Sequence, residues 1–248
     1  MRAMTQHRWD VTPQEAITIQ QRLRSLVVTE NRLGTVRMVA GVDVGFRGEV
    51  AQAAVVVLRY PELEPVDYVL SQRPVTFPYV PGLLAFREGP VVMAALERLR
   101  TDPDLLIFDG QGLAHPRRMG IATHIGVLVD KPSIGCAKSR LCGEHHQPAE
   151  ARGSTVRLTD GDEVIGIVVR TRDGVKPVYV SIGHKVDLEA AVAYVLGCCR
   201  KYRLPEPIRY AHRVAGGERL PFDLSEPLPY PPLPSPLRRG KGRAGLRG

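Results

Sequence analysis

Three carboxylates in this chain occupy positions where an acid needs a physical reason to be. Asp43 lies inside the apolar stretch Met38-Val39-Ala40-Gly41-Val42-Asp43-Val44-Gly45-Phe46, flanked by two valines. An ionised carboxylate buried in such a strand without a partner is costly, so something should stabilise it. Asp109 closes the wholly apolar run Leu105-Leu106-Ile107-Phe108, at the strand end where α/β sheets place functional groups. Glu88 opens the helix expected over Gly89 to Arg100. If the two strands are neighbours and the helix packs nearby, the three acids converge at one end of the sheet. Clustered carboxylates repel, and a hard divalent cation such as Mg²⁺ resolves the repulsion by taking oxygen ligands from a few acids, water and phosphate. A cation held this way activates water, orients a phosphodiester and stabilises the leaving oxygen. Either aspartate alone would be read as accepting backbone hydrogen bonds at a strand end. The trio favours the metal.

Gly110-Gln111-Gly112-Leu113-Ala114-His115-Pro116-Arg117-Arg118 follows Asp109 without interruption. Its glycines permit close backbone approach, and its histidine and arginines suit phosphate contact or proton transfer. Pro78-Tyr79-Val80-Pro81-Gly82 is a rigidified turn displaying one aromatic. Wedge residues that enter a duplex are apolar or aromatic and held stiffly; on local pattern alone, an ordinary loop with Tyr79 packed on the core is the better reading. Lys138 follows an apolar strand and could meet a phosphate as a point charge or simply be solvated. His124 lies in an apolar helix, where a structural role competes with a catalytic one. Glu144-His145-His146 reads as a solvated loop. Neither G-x-x-x-x-G-K-[ST] nor a convincing G-x-G-x-x-G is present, which disfavours a nucleotide cofactor.

The elements that must position these groups follow from periodicity. Thr12-Pro13-Gln14-Glu15 has the pattern of a capped helix start, and the apolar face continues to about Val28. Met38 to Phe46, Ala51 to Tyr60 and Val66 to Val75 read as strands of an antiparallel meander. Leu105 to Phe108 suits a central strand buried on both faces. Ile121 to Val129 should be helical and Ser133 to Ala137 a strand. Glu163 to Thr171 and Val178 to Ile182 look like a hairpin around Asp173-Gly174. Leu188 to Arg200 reads as a helix capped by Asp187. A meander followed by alternating helix and strand points to a mixed α/β sheet covered by helices.

The chain has 248 residues, 44% hydrophobic and 24% charged, the balance of a soluble globular protein. No apolar run suggests a membrane span and the N-terminus lacks a signal-peptide core, so a cytoplasmic protein is expected. Cys136, Cys142, Cys198 and Cys199 lack C-x-x-C spacing and read as reduced thiols. Aromatics are 6% of the chain, which argues against a base-stacking platform of many rings. Net charge is +8. Residues 225–248 carry half of it, through Arg238, Arg239, Lys241, Arg243 and Arg247 against Glu226. Residues 1–224 show no composition break and are expected to form one domain. The Pro/Gly/Arg-rich remainder is expected to be disordered, with non-specific DNA tethering as a hypothesis for it. A basic surface favours polyanions without identifying one.

Taken together, these segments resemble endonuclease V. The matching runs are Val39 to Val44; Pro78-Tyr79-Val80-Pro81-Gly82-Leu83-Leu84-Ala85-Phe86-Arg87-Glu88; Asp109 to Arg117; and Ile121 to Gly126, continuing to Ile134-Gly135-Cys136-Ala137-Lys138-Ser139-Arg140-Leu141. Val80 stands where many relatives have isoleucine. The resemblance implies a ribonuclease-H-like fold, with a mixed sheet of five or more strands. It implies Asp43, Glu88 and Asp109 as ligands of Mg²⁺, with Mn²⁺ as a substitute. Tyr79 becomes a wedge, with Pro78, Val80, Pro81, Arg87 and Arg117 against DNA. The displaced base would enter a pocket near Gly82, Leu84, Gly112, Gly120 and Ile121, at the modest cost of flipping a weakly paired base. His115 and Lys138 would meet the scissile phosphate or the attacking water.

The activity implied is cleavage of the second phosphodiester 3′ to a deaminated base, chiefly deoxyinosine, leaving a 3′-hydroxyl and a 5′-phosphate. The implied partner is damaged DNA, with the protein acting as a monomer. Three other readings stand beside it: an inosine-specific ribonuclease, a structure-selective junction nuclease on the same fold, and a non-catalytic nucleic-acid-binding module. The third is disfavoured because all three acids are present.

Overall fold

The apolar stretch around Asp43 folds as β1 (Met38–Arg47), followed by β2 (Val50–Arg59) and β3 (Glu64–Pro74) in an antiparallel meander. The computed structural model describes residue 1, residue 5 and residues 7–220; the tail expected over 225–248 lies outside them. β4 (Leu105–Phe108) pairs parallel with β1, and β5 (Ser133–Ala137) pairs parallel with β4. β6 (Thr155–Asp160), β7 (Glu163–Val169) and β8 (Val178–His184) complete an eight-stranded sheet in the order β3-β2-β1-β4-β5-β8-β7-β6. The expected hairpin is present: β7 pairs antiparallel with β8.

Strand alternation sends successive side chains to opposite faces. Val39, Leu105 and Ile107 join one apolar core with α4 (Leu188–Gly197) and α5 (Glu206–Ala215). Ala40, Val42, Leu106 and Phe108 join a second core with α2 (Leu84–Glu97) and α3 (Ile121–Val129). β4 is wholly buried, as its uninterrupted apolar run requires. α1 (Pro13–Arg24) starts with the capping box expected of Thr12 and Glu15, and the Asp187 side chain accepts from the Ala190 amide to cap α4. Both helices end sooner than their apolar patterns suggested, at Arg24 and Gly197. Among the described residues, no helix is long and apolar enough to cross a membrane, and all four cysteines are free thiols.

The sequence reading places the start of α2 too late. It begins at Leu84 and carries Pro90 in its interior, so Glu88 lies a turn inside rather than at the opening. A proline normally marks a first turn because it lacks an N–H and clashes with the preceding turn, which made Gly89-Pro90 look like a start. Gly89 is needed there for another reason: a Cβ on it would lie 2.3 Å from the Trp9 ring.

α5 packs directly on β1 at Gly41, where an added Cβ would stand 2.0 Å from the Pro207 carbonyl oxygen. Gly41→Ala should therefore destabilise the protein by about 1–3 kcal/mol, because overpacking forces backbone to shift. Urea unfolding measures this, and a loss below a few tenths of a kcal/mol would contradict the close packing.

Candidate active site

The parallel pairing of β1 and β4 runs as far as Val42 opposite Phe108, and the Asp109 amide then donates to the Val42 carbonyl at 3.0 Å. Asp43 and Asp109 are thus the next residues on adjacent strands. Alternation turns both toward the face covered by α5, where the His212 ring nitrogen Nδ1 lies 2.8 Å from Asp43 Oδ2. Ligand atoms of Asp43, Asp109 and His212 all fall within 4.8 Å of one another. Both aspartates are nearly buried, whereas the His212 side chain is 66% exposed. Burial raises the Asp109 carboxyl above the usual range, opposed by an ion pair with the Lys138 ammonium.

Glu88 is buried and lies outside that tight trio, but it feels both aspartates. Burial, then the charges of Asp43 and Asp109, push its carboxyl up to about 8. A buried glutamate whose ionisation two neighbouring aspartates oppose is an unfilled demand for positive charge. Lys138 meets part of it, at Asp109. The oxygen-rich donor set suits a hard cation, and a histidine bonded to a ligand carboxylate orients that ligand. On these grounds the residues fit Mg²⁺ or Mn²⁺, with His212 beside Asp43.

A small cavity of about 120 Å³ opens close to these acids, lined by Gln111, two residues past Asp109. Tyr79, 72% exposed, stands at its edge instead of packing on the core. Pro78 and Pro81 are exposed and Val80 half-buried, so the turn displays its ring outward. Gly82, Leu84, Gly120 and Ile121 line the cavity. Gly120 caps α3 with extended backbone and Ile121 opens that helix, whose first amides have no intrahelical acceptors. Gly112 does not line it. Its amide donates to Ser181 Oγ at 2.9 Å, and a Cβ there would be 2.0 Å from the Ile182 carbonyl. Gly112 is a packing contact with β8.

Three further candidates, His115, Arg117 and Arg87, have partners within the protein. His115 was expected at the phosphate or water, but it is buried with both ring nitrogens engaged. Nδ1 accepts from the Arg117 and Met119 amides at 3.1 and 3.4 Å, which leaves Nε2–H to donate to the Gly82 carbonyl at 2.9 Å. Burial lowers it to about 4, so it is a neutral brace. Arg117 was expected on DNA; its Nε donates to Gln20 Oε1 and its Nη2 to the Gly82 carbonyl, each at 2.6 Å. Arg87 donates to the Phe77 carbonyl at 3.0 Å, just before the turn that carries Tyr79, and covers the Phe46 ring. Arg118, in the same loop as Arg117, is tied to Asp160 and Glu163.

His124 is fully buried, and its Nε2 lies 2.7 Å from that of His7. His145 meets Tyr179. Neither histidine reaches the acids. His212 and α5 are what sequence reasoning missed. Buried Ile208, Ala211, Val214 and Ala215 recur at helical spacing, which could have revealed the helix, but Pro205 and Pro207 mask it. β6 was missed because few of its residues are buried.

A meander feeding two central parallel strands, with acids at adjacent strand ends, defines a ribonuclease-H-like nuclease. A family model for Endonuclease V matches residues 21–213. Endonuclease V of Roseiflexus sp. (strain RS-1) is 54% identical over 213 residues, covering 86% of this chain and 96% of that protein. The structure of endonuclease V from Streptomyces avermitilis superposes with a TM-score of 0.81 at 43% identity, covering 84% of this chain and 93% of that one. Endonuclease V of Ciona intestinalis, solved with a 24mer DNA containing an inosine followed by a ribo-adenosine, gives 0.70 at 29% identity, covering 82% and 95%. The chain belongs to the endonuclease V family.

Proposed function

We propose that this chain is a Mg²⁺-dependent DNA repair endonuclease that recognises deaminated bases, chiefly deoxyinosine. In this reading it hydrolyses the second phosphodiester 3′ to the lesion and leaves a 3′-hydroxyl and a 5′-phosphate. The observation that carries it is one short connection: Asp109 belongs to the acidic centre, and Gln111 lines a small cavity edged by an exposed tyrosine. A cation held by Asp43, Asp109 and Glu88 would supply positive charge to the phosphate and lower the pKa of water. Residues of the chain do the rest. Tyr79 fills the space left by the displaced base, and the cavity receives that base. Lys138, exposed and paired with Asp109, is free to turn its ammonium to a phosphate once other positive charge serves the acid. His212 holds the Asp43 carboxylate in orientation.

The test is a pair of matched duplexes, with and without one deoxyinosine, incubated with Mg²⁺. A single nick at the second bond 3′ to the lesion is expected, lost in EDTA; equal cutting of both duplexes would reject the lesion-specific reading. A third strand carrying a ribonucleotide 3′ to inosine examines the RNA reading, which the Ciona complex with its ribo-adenosine supports. Tyr79→Ala should lower cutting of the inosine duplex by about tenfold or more, since a base displacement costing a few kcal/mol loses its wedge. A single strand carrying inosine should be cut nearly as before. Equal losses on the two substrates would argue against the wedge.

A further inference from the structure

The Gly82 carbonyl receives three side-chain donors: Gln20 Nε2 at 3.1 Å, His115 Nε2 at 2.9 Å and Arg117 Nη2 at 2.6 Å. A carbonyl oxygen has two lone pairs, so three donors use all of its accepting capacity and tie the turn to three separate side chains. Gly82 ends the turn that displays Tyr79, and its φ of +78° belongs to the left-handed region that a glycine adopts without strain.

Gln20 is the hub of this clamp. It is fully buried, on α1, outside the acidic centre. Its Nε2 donates to the Gly82 carbonyl and to the Met119 carbonyl, both at 3.1 Å, and its Oε1 accepts from Arg117 Nε at 2.6 Å. Two carbonyls on one side and a guanidinium on the other fix which amide atom is nitrogen. The two carbonyls belong to two different segments that line the cavity. Gly82 ends the wedge turn, and Met119 immediately precedes Gly120 and Ile121 at the start of α3. One side chain therefore ties both lining segments to α1 and to the loop after Asp109. An apolar residue could fill the same volume but not make these bonds.

We infer that Gln20 is a positioning residue, setting the gap between the wedge turn and the α3 wall and so the cost of seating a displaced base. The inference rests on the function proposed above. Gln20→Met keeps the unbranched shape but leaves the Met119 carbonyl and Arg117 Nε without this partner. Positioning must then fail where a base has to be extracted from a duplex, and much less where it is already free.

Single-turnover cutting by wild type and Gln20→Met, on a duplex and on a single strand each carrying one deoxyinosine, tests this below the unfolding midpoint of both proteins. The duplex rate should fall on the order of tenfold more than the single-strand rate. Equal falls, or none, overturn the inference and leave Gln20 a part of the core. If Gln20→Met does not fold, Arg117→Leu at the half-exposed end of the same link should give the same change in ratio, and an unchanged ratio is equally fatal. A wild type that cuts inosine and undamaged duplexes alike removes the proposed function and this inference together. A wild type that prefers inosine while the variants keep its ratio removes the inference alone.

Discussion

Asp43→Ala should lower single-turnover cutting of the inosine duplex by about 10³-fold or more, since a lost cation ligand withdraws several kcal/mol of transition-state stabilisation. The variant should remain folded. Asp43 sits at the end of the β1–β4 pairing, and its side chain bonds to exposed His212, not to the backbone of the sheet. Without a cation, removing Asp43 also relieves Glu88 of one of the two charges that oppose its ionisation. Thermal unfolding in EDTA should accordingly show no large loss, while activity collapses. Retention of more than a tenth of the wild-type rate would mean that phosphodiester hydrolysis does not depend on this carboxylate.

Glu88→Gln should change how stability depends on pH. Burial and the two aspartates move this carboxyl from 4.5 to about 8. Between those values the folded protein holds a proton that the unfolded chain releases. The stabilisation is therefore complete below about pH 4.5, and it is lost as the pH rises through about 8. In EDTA, the wild-type unfolding free energy should fall relative to that of Glu88→Gln between about pH 5 and 8.5, by an amount on the order of several kcal/mol. Taking the difference between the proteins removes the opposite contribution of His115, whose lowered pKa makes the fold costlier in acid. Mg²⁺ should reverse the wild-type trend, because a cation favours the carboxylate, and binding near neutral pH should release protons. Parallel curves for the two proteins would show that Glu88 does not carry this burden.

Much of this was legible because the chemistry is local. Asp43 interrupts an apolar strand and Asp109 terminates one, and strand physics alone makes both conspicuous. Their adjacency was not local, since it depends on parallel pairing of strands far apart in the chain. The resemblance implied a wedge role for Tyr79, where local pattern favoured packing on the core; the structure shows the ring exposed. The partners of His115 and Arg117 were not legible, because residue type says what a side chain can bind, not what already occupies it. Both are committed to Gly82, a partner that no spacing rule connects to them. Gln20 and His212 lie on helices whose periodicity reports burial and rim, and neither position carries a chemical signature in one dimension.

The two strand-end acids stand at a separation cut by peptide geometry. Neither β1 nor β4 can slide without surrendering the amide-to-carbonyl bond from Asp109 to Val42 and the pairs before it. The gauge of the centre is thus a property of the main chain, and side-chain rotation is the adjustment left to it. A cation held between these acids would meet a spacing that the backbone has set, with side-chain rotation and charge left to adjust.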